Sequence, residues 1–195
     1  MARTKQRTPA LREHVRDVAV AMLAEDGVAG FTTRKVAQTA GTSVPAVYEL
    51  FGDKAGLVRE VLFEGFRQLA RRFDALSETD DPRADLIDAI DVVRRFAAEQ
   101  RELADVMYSR PFADFDPGAA DLAAGAATRT FVVGRVQRCV DAGLIRGNAT
   151  DVAHALLALA HGLAAQESAG WLGTSRASMN RRWALALDAM LDGLR

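Results

Sequence analysis

Apolar residues recur at three- and four-residue spacing along most of the chain, and no stretch sustains a polar–apolar alternation of period two. The pattern predicts an all-α protein of about nine helices. The first starts at Thr8-Pro9, an N-cap followed by proline at the first helical position, and ends near Gly27. Leu11, Val15, Val18 and Met22 form its apolar stripe, widened by Ala19 and Leu23, with Val28 and Phe31 beyond its end. Thr32 or Thr33 then caps a second helix whose inner face is Val36, Ala37 and Ala40. Gly41 falls where a helix C-terminus favours positive φ, and Ser43 caps a third short helix with Pro45 in its first turn and Val47 and Phe51 pointing inward. Two short helices joined by a glycine-containing turn form a helix-turn-helix, a unit that enters DNA grooves.

A long fourth helix opens at Gly52-Asp53 and carries Leu57, Val58, Val61, Leu62, Phe66, Leu69 and Phe73 to about Leu76. A polar loop at 77–82 leads to a fifth helix, Pro82 to about Gln100, with Leu86, Ile90, Val93 and Phe96 or Ala97 inward. A short sixth helix, Glu102 to Ser109, precedes an irregular RPFADFDPG segment, and a seventh, from Ala119 to Ala142 with Leu122, Phe131, Val132, Val136 and Val140 apolar, is stopped by Gly143. The eighth, capped at Asn148 to Thr150, is apolar around most of its circumference, with Ala155, Ala158, Gly162 and Ala165 keeping one face flat. A helix apolar all round has to be covered on both sides. A four-helix interface between two subunits, built from the eighth helix and a ninth at 175–194, would cover its second side. The expected partner is therefore a second copy of the chain. The organisation expected is a DNA-binding domain at 1–52, with residues 1–8 as a basic arm, and a helical ligand-binding and dimerisation domain at 53–195.

Charge sharpens this picture. The net charge is −1, but Arg3, Lys5, Arg7 and Arg12 give residues 1–12 a charge of +4 with no acid. Residues 1–60 hold nine basic against seven acidic side chains, and the remainder is net −3. A basic tip on a mildly acidic body suits contact with phosphate at one end. Cys139 is the single cysteine, which excludes an intrachain disulfide and a cysteine-based metal site. With no apolar run of membrane-spanning length and no apolar signal core, no membrane association and a cytoplasmic location are expected.

The residues from Phe31 through Thr33, the Val36-Ala37 pair, Ala40-Gly41, Val47-Tyr48, Phe51, Lys54 and Leu57 make a long string at fixed spacing. This string resembles the DNA-binding domain of the TetR family of transcriptional regulators. The resemblance is strong over residues 9 to about 62 and architectural beyond them. It implies that the positions of Val44, Pro45, Ala46 and Glu49 lie against base edges or adjacent backbone, and that the last two helices dimerise.

Read chemically, Ser43, Val44, Pro45, Ala46 and Glu49 lie at or near the exposed front of the third helix. Val44, Pro45 and Ala46 offer apolar contact suited to thymine methyl groups, while Glu49 either accepts from cytosine or points away from phosphate. Thr33 and Arg34 open the second helix, Tyr48 presents a hydroxyl from the third, and Lys54 stands at the N-terminus of the fourth, so these four are phosphate-contact candidates. With few direct donors to bases, specificity leans on Arg34 and on DNA shape.

An enzyme reading finds little support. His154 and His161 are seven residues apart, about 10 Å along a helix, so they cannot share a metal within it. No nucleophile motif, glycine-rich phosphate loop or His-Glu metal constellation occurs, and no cofactor or metal is expected. The body offers a candidate effector site instead. Phe66, Phe96, Met107, Tyr108, Phe112, Phe115 and His161 come from segments a bundle brings together, with Arg110 able to meet an anionic group. A mainly apolar pocket with few polar groups suits a small hydrophobic effector. The expectation is a non-enzymatic, ligand-responsive regulator, most simply a homodimeric repressor on a palindromic double-stranded DNA operator. The competing readings are an effector-less architectural DNA binder and a helical enzyme with an accidental helix-turn-helix match.

Overall fold

Local capping chemistry sets most of the helix boundaries in the computed structural model, which describes residues 8–108 and 118–195. The helices are α1 (Pro9–Gly30), α2 (Thr33–Thr39), α3 (Val44–Phe51), α4 (Lys54–Asp74), α5 (Pro82–Glu99), α6 (Arg101–Tyr108), α7 (Ala119–Asp141), α8 (Ala149–Ser168) and α9 (Arg176–Gly193). Thr8 caps α1 by accepting from the Leu11 N–H at 3.3 Å. Asn148 caps α8 by accepting from Thr150 and Asp151, and Ser175 with Ser178 forms a reciprocal capping box on α9. Gly27 (φ 65°) interrupts α1 close to the expected stop, and a further short stretch runs on to Gly30. Gly143 (φ 68°) ends α7 as expected.

The chain divides into two compact units. One comprises residues up to Phe66 together with Gln100–Leu122, and the other comprises Arg67–Glu99 and Ala123–Arg195. In the first unit α1 packs on α2 and α6, and α2 packs on α3. Its core holds Val15, Ala19, Leu23, Phe31, Val36, Ala37, Val47, Phe51, Leu57 and Val61. Val18 and Met22, expected on the α1 stripe, are half-buried. Gly65 of α4 lets α6 come close, because a Cβ there would stand 2.5 Å from the Met107 sulfur and 3.2 Å from Leu103 Cδ1.

In the second unit α5 packs on α8, and α8 on α9. Leu86, Ile90, Val93, Phe96, Val132, Val136, Leu156, Trp183, Leu187 and Leu191 are buried there. Phe73 and Phe131 stack with centroids 4.5 Å apart. Glu167 joins three helices: Arg94 of α5 donates to both its carboxylate oxygens at 2.9 Å, and Trp183 Nε1 of α9 donates at 2.6 Å. The Arg94 bonds foremost, aided by the indole N–H, hold the Glu167 carboxyl below its ordinary range.

One expectation needs correction. Leu122, assigned to the apolar face of the seventh helix, is 60% exposed. The eighth helix is covered on one side within the chain, by way of Val152, Ala153, Leu156, Ala160 and Ala164, whereas Ala155, Ala158, Gly162 and Ala165 are exposed. No helix among the described residues is long and apolar enough to cross a membrane.

Candidate nucleic-acid interface

The turn between α2 and α3 is built by a glycine in the left-handed region. Gly41 (φ 61°) follows the C-cap Ala40, its N–H donating to Gln38 O at 3.1 Å while Thr42 N–H reaches back to Ala37 O at 2.9 Å. This pair of bonds is a Schellman ending, which needs positive φ at the position Gly41 occupies. Of the two candidate caps of α2 it is Thr32 that serves, accepting from the Lys35 N–H at 3.2 Å. Ser43 caps α3 by accepting from the Ala46 N–H at 3.3 Å, and Pro45 sits in the first turn.

This frame sorts the candidate DNA-contact residues. Val47 (0% exposed) and Phe51 (8%) anchor α3 in the core. On its other faces, Pro45 and Glu49 are exposed, Val44 and Ala46 are half-buried, and Tyr48 is 43% exposed. Ser43 at the cap is exposed, as are Arg34 in the first turn of α2 and Lys54 at the start of α4. Thr33, the first residue of α2, is buried. All of these residues lie in the first compact unit.

The corner between α3 and α4 depends on two further glycines. Gly52 (φ 84°) caps α3, its N–H donating to Tyr48 O at 2.7 Å. A Cβ at Gly56 would fall 1.8 Å from the Phe51 carbonyl oxygen, so α4 can approach the end of α3 this closely only with glycine there. Asp53 Oδ1 accepts from the Gly56 N–H at 2.7 Å and caps α4. Gly56 is absent from the sequence reading, because a requirement set by a neighbouring carbonyl leaves no periodic signal.

The residues proposed for an effector are distributed as follows. Phe66 and Tyr108 make an edge-to-face pair with centroids 6.0 Å apart, and Met107 lies buried against Gly65. Tyr108 itself is 39% exposed. Phe96 is 1% exposed in the second unit, with the Arg72 guanidinium 5.1 Å from its ring centroid. His161, half-buried on α8, is pushed down to about 4 by desolvation and is neutral at pH 7. Arg110, Phe112 and Phe115 lie outside the described residues, as does the arm at 1–7. A groove of about 290 Å³ opens in the second unit between Arg72, Ala75, Leu76, Val92, Arg95 and Glu99, and includes none of the proposed effector residues. Among the described residues no three His, Cys, Asp or Glu side chains converge as a metal site.

A Gly-turned helix pair with an exposed front, on an otherwise helical chain, defines a helix-turn-helix DNA-binding protein. Residues 15–61 match the family model described as bacterial regulatory proteins, tetR family, and residues 86–190 match that of a tetracyclin repressor-like C-terminal domain. The chain belongs to the TetR family of transcriptional regulators, which are DNA-binding proteins and not enzymes. Among solved structures it is similar to a protein of unknown function from Rhodococcus sp. RHA1, with 27% identity, a TM-score of 0.82, and coverage of 98% of this chain and 99% of that one. It shares its fold with the regulator FadR from Bacillus subtilis in complex with stearoyl-CoA (15% identity, TM-score 0.75, coverage 94% and 99%). The same holds for a single-substitution variant of TetR from Acinetobacter baumannii AYE in complex with minocycline (20% identity, TM-score 0.65, coverage 92% and 93%). No curated protein matches the chain.

Proposed function

We propose that this regulator is a repressor that binds a palindromic operator as a homodimer and is released by a small, mainly hydrophobic effector. The observation that carries this reading is the sorting of α3, whose inner residues are locked in the core while Pro45, Tyr48 and Glu49 are exposed beside Ser43, Arg34 and Lys54. Apolar and small groups at the front read thymine methyls and groove shape, and Arg34, Tyr48 and Lys54 grip phosphate. Residues 1–52 serve as the reading domain and 53–195 as the sensing and dimerising one.

Dimerisation is supported by the flat exposed face of α8, where Ala155, Ala158, Gly162 and Ala165 let a second helix approach closely. Beyond the adjoining backbone of α8 itself, nothing lies within 4 Å of a Cβ built at Gly162, so that surface has room for a partner. Two heads on one duplex would place their recognition helices about 34–36 Å apart, or a multiple of that. Effector response is supported by the relatives solved with stearoyl-CoA and minocycline, and by the Phe66–Tyr108 pair beside Met107 at the α4–α6 packing. An effector shifts the equilibrium by its difference in affinity between the DNA-competent and released states.

Random-site duplex selection tests the reading. A sharp palindrome recovered by the protein, and lost on adding long-chain acyl thioesters or another hydrophobic effector class, supports it. A weak consensus unaffected by every such ligand points to an effector-less architectural binder.

A further inference from the structure

We propose that Arg12 of α1 is a positioning residue for DNA recognition: it holds the C-terminal end of α3 against α4 and so sets where the reading front stands relative to Lys54. The inference rests on DNA binding by the helix-turn-helix and adds a residue outside that motif. The Arg12 guanidinium has three partners. One nitrogen donates to the Leu50 carbonyl, another donates to Glu60 Oε2 at 2.5 Å, and the group stands 4.6 Å from the centroid of the Phe51 ring.

Each partner has a physical reason to want this cation. Leu50 lies in the last turn of α3, where carbonyls lack intrahelical donors and the helix dipole is negative. Glu60 is on α4 with its side chain only 12% exposed, so its carboxylate is largely withdrawn from water and depends on a partner more than a surface carboxylate does. Phe51 offers its ring face. A planar guanidinium fork can serve all three at once, whereas a lysine ammonium is a single point. One turn further along α1, Arg16 approaches Glu64 of α4 at 3.8 Å, so α1 and α4 are joined at two successive turns.

An eight-residue helix has little orientation of its own. The angle of α3 must come from its neighbours: the Gly41 turn at one end, the core around Val47 and Phe51, and the Gly52 corner with the Arg12 contacts at the other. This distinguishes Arg12 from the basic residues before it. A phosphate contact adds affinity on any sequence, whereas a positioning contact adds affinity only where the base-facing groups fit.

The test uses full-length protein, the operator recovered by random-site selection and a scrambled duplex of equal length. Affinities are measured over a series of salt concentrations for wild type, Arg12→Gln, Arg12→Lys and Glu60→Gln. Arg12→Gln is expected to weaken operator binding by about tenfold, the effect of one charge-assisted contact, and to leave scrambled-duplex binding nearly unchanged. The slope of log affinity against log salt should stay as in wild type, Glu60→Gln should reproduce the loss, and Arg12→Lys should recover only part of it. If Arg12→Gln melts below the assay temperature, Arg12→Lys carries the comparison, with a smaller loss of discrimination in the same direction. Equal weakening on both duplexes with a slope smaller by about one unit would make Arg12 a phosphate contact and overturn the proposal. Unchanged operator affinity would overturn it too. Wild-type protein that selects no site would remove the DNA reading itself, a separate result.

Discussion

Thr79 holds both oxygens of the Asp85 carboxylate, donating its backbone N–H at 2.9 Å and its hydroxyl at 2.8 Å. Arg138 of α7 donates to the same carboxylate and to the Thr79 carbonyl, while Arg135 approaches Asp85 at 3.4 Å and bonds the Ser77 carbonyl at 3.3 Å. One buried acid thus ties the α4–α5 loop to α7 within the second unit. The Thr79 N–H foremost, and then Arg138, hold its carboxyl down at about 2, against an ordinary 3.8. Because the folded value is the lower one, this contribution to stability is complete above pH 3.8 and is lost as pH falls toward 2. Asp85→Asn keeps the shape and removes the charge, leaving the buried Arg135 with only the exposed Glu78 carboxylate at 3.4 Å to balance it. Its melting temperature should drop by about 10 °C at neutral pH. Its acid unfolding between pH 4 and 2 should be shallower than that of wild type. Circular dichroism melts across pH check both, and parallel wild-type and variant curves would refute the linkage.

A side chain at Gly65 has nowhere to go. Gly65→Val should destabilise the chain by about 2 kcal/mol, since the Met107 sulfur and Leu103 Cδ1 already occupy the space. Met107→Ala in the same chain should return part of that loss, in contrast to additive behaviour at distant sites. Urea titrations of the two single variants and the double variant measure the coupling, and an additive result would show that α4 and α6 can part without penalty.

Lys54 stands exposed at the N-terminus of α4, beside the α3 corner. As a phosphate contact, its replacement by alanine should weaken all duplexes about equally and lower the salt slope by about one unit. Fluorescence anisotropy at several salt concentrations provides the readout. Unchanged affinity and slope would assign the grip elsewhere.

Ala158 is exposed on α8, and arginine there is nearly as good a helix former as alanine. Ala158→Arg should therefore leave helical content intact and separate the subunits, which sedimentation velocity would show as a fall to the mass of one chain. Operator affinity should fall with it, because two linked heads bind with an avidity that one lacks. A dimer that persists would move the interface to another surface.

How much of this was legible depended on range. Caps such as Thr8, Ser43 and Asn148 were readable because each acts on residues two or three positions away. The buried faces of α2 and α3 followed from spacing alone. Arg12, by contrast, read as part of a basic cluster, since its partners Leu50 and Glu60 lie 38 and 48 residues away. The Asp85 cluster draws on α7 residues 50 and 53 positions downstream and was equally invisible. Leu122 shows the converse error, in which helical spacing suggested burial for a side chain that is 60% exposed. Within the effector set, proximity of Phe66 to Tyr108 required a fold, because neither spacing nor composition relates two helices.

The division of α3 into locked and exposed residues also bears on how such a regulator changes its target. Surface substitutions away from caps and core usually shift stability by no more than about 0.5 kcal/mol. Exposed positions on the outer face of α3 can therefore be exchanged with less effect on folding than Val47 or Phe51. Length is another matter. One residue inserted within α3 would turn the residues on either side of it by about 100° relative to one another and set the exposed front out of register with the buried Val47 and Phe51. Duplicated copies of this gene can acquire new genomic addresses by substitution, while a frame held by Gly41, Gly52 and Gly56 bars them from doing so by insertion or deletion.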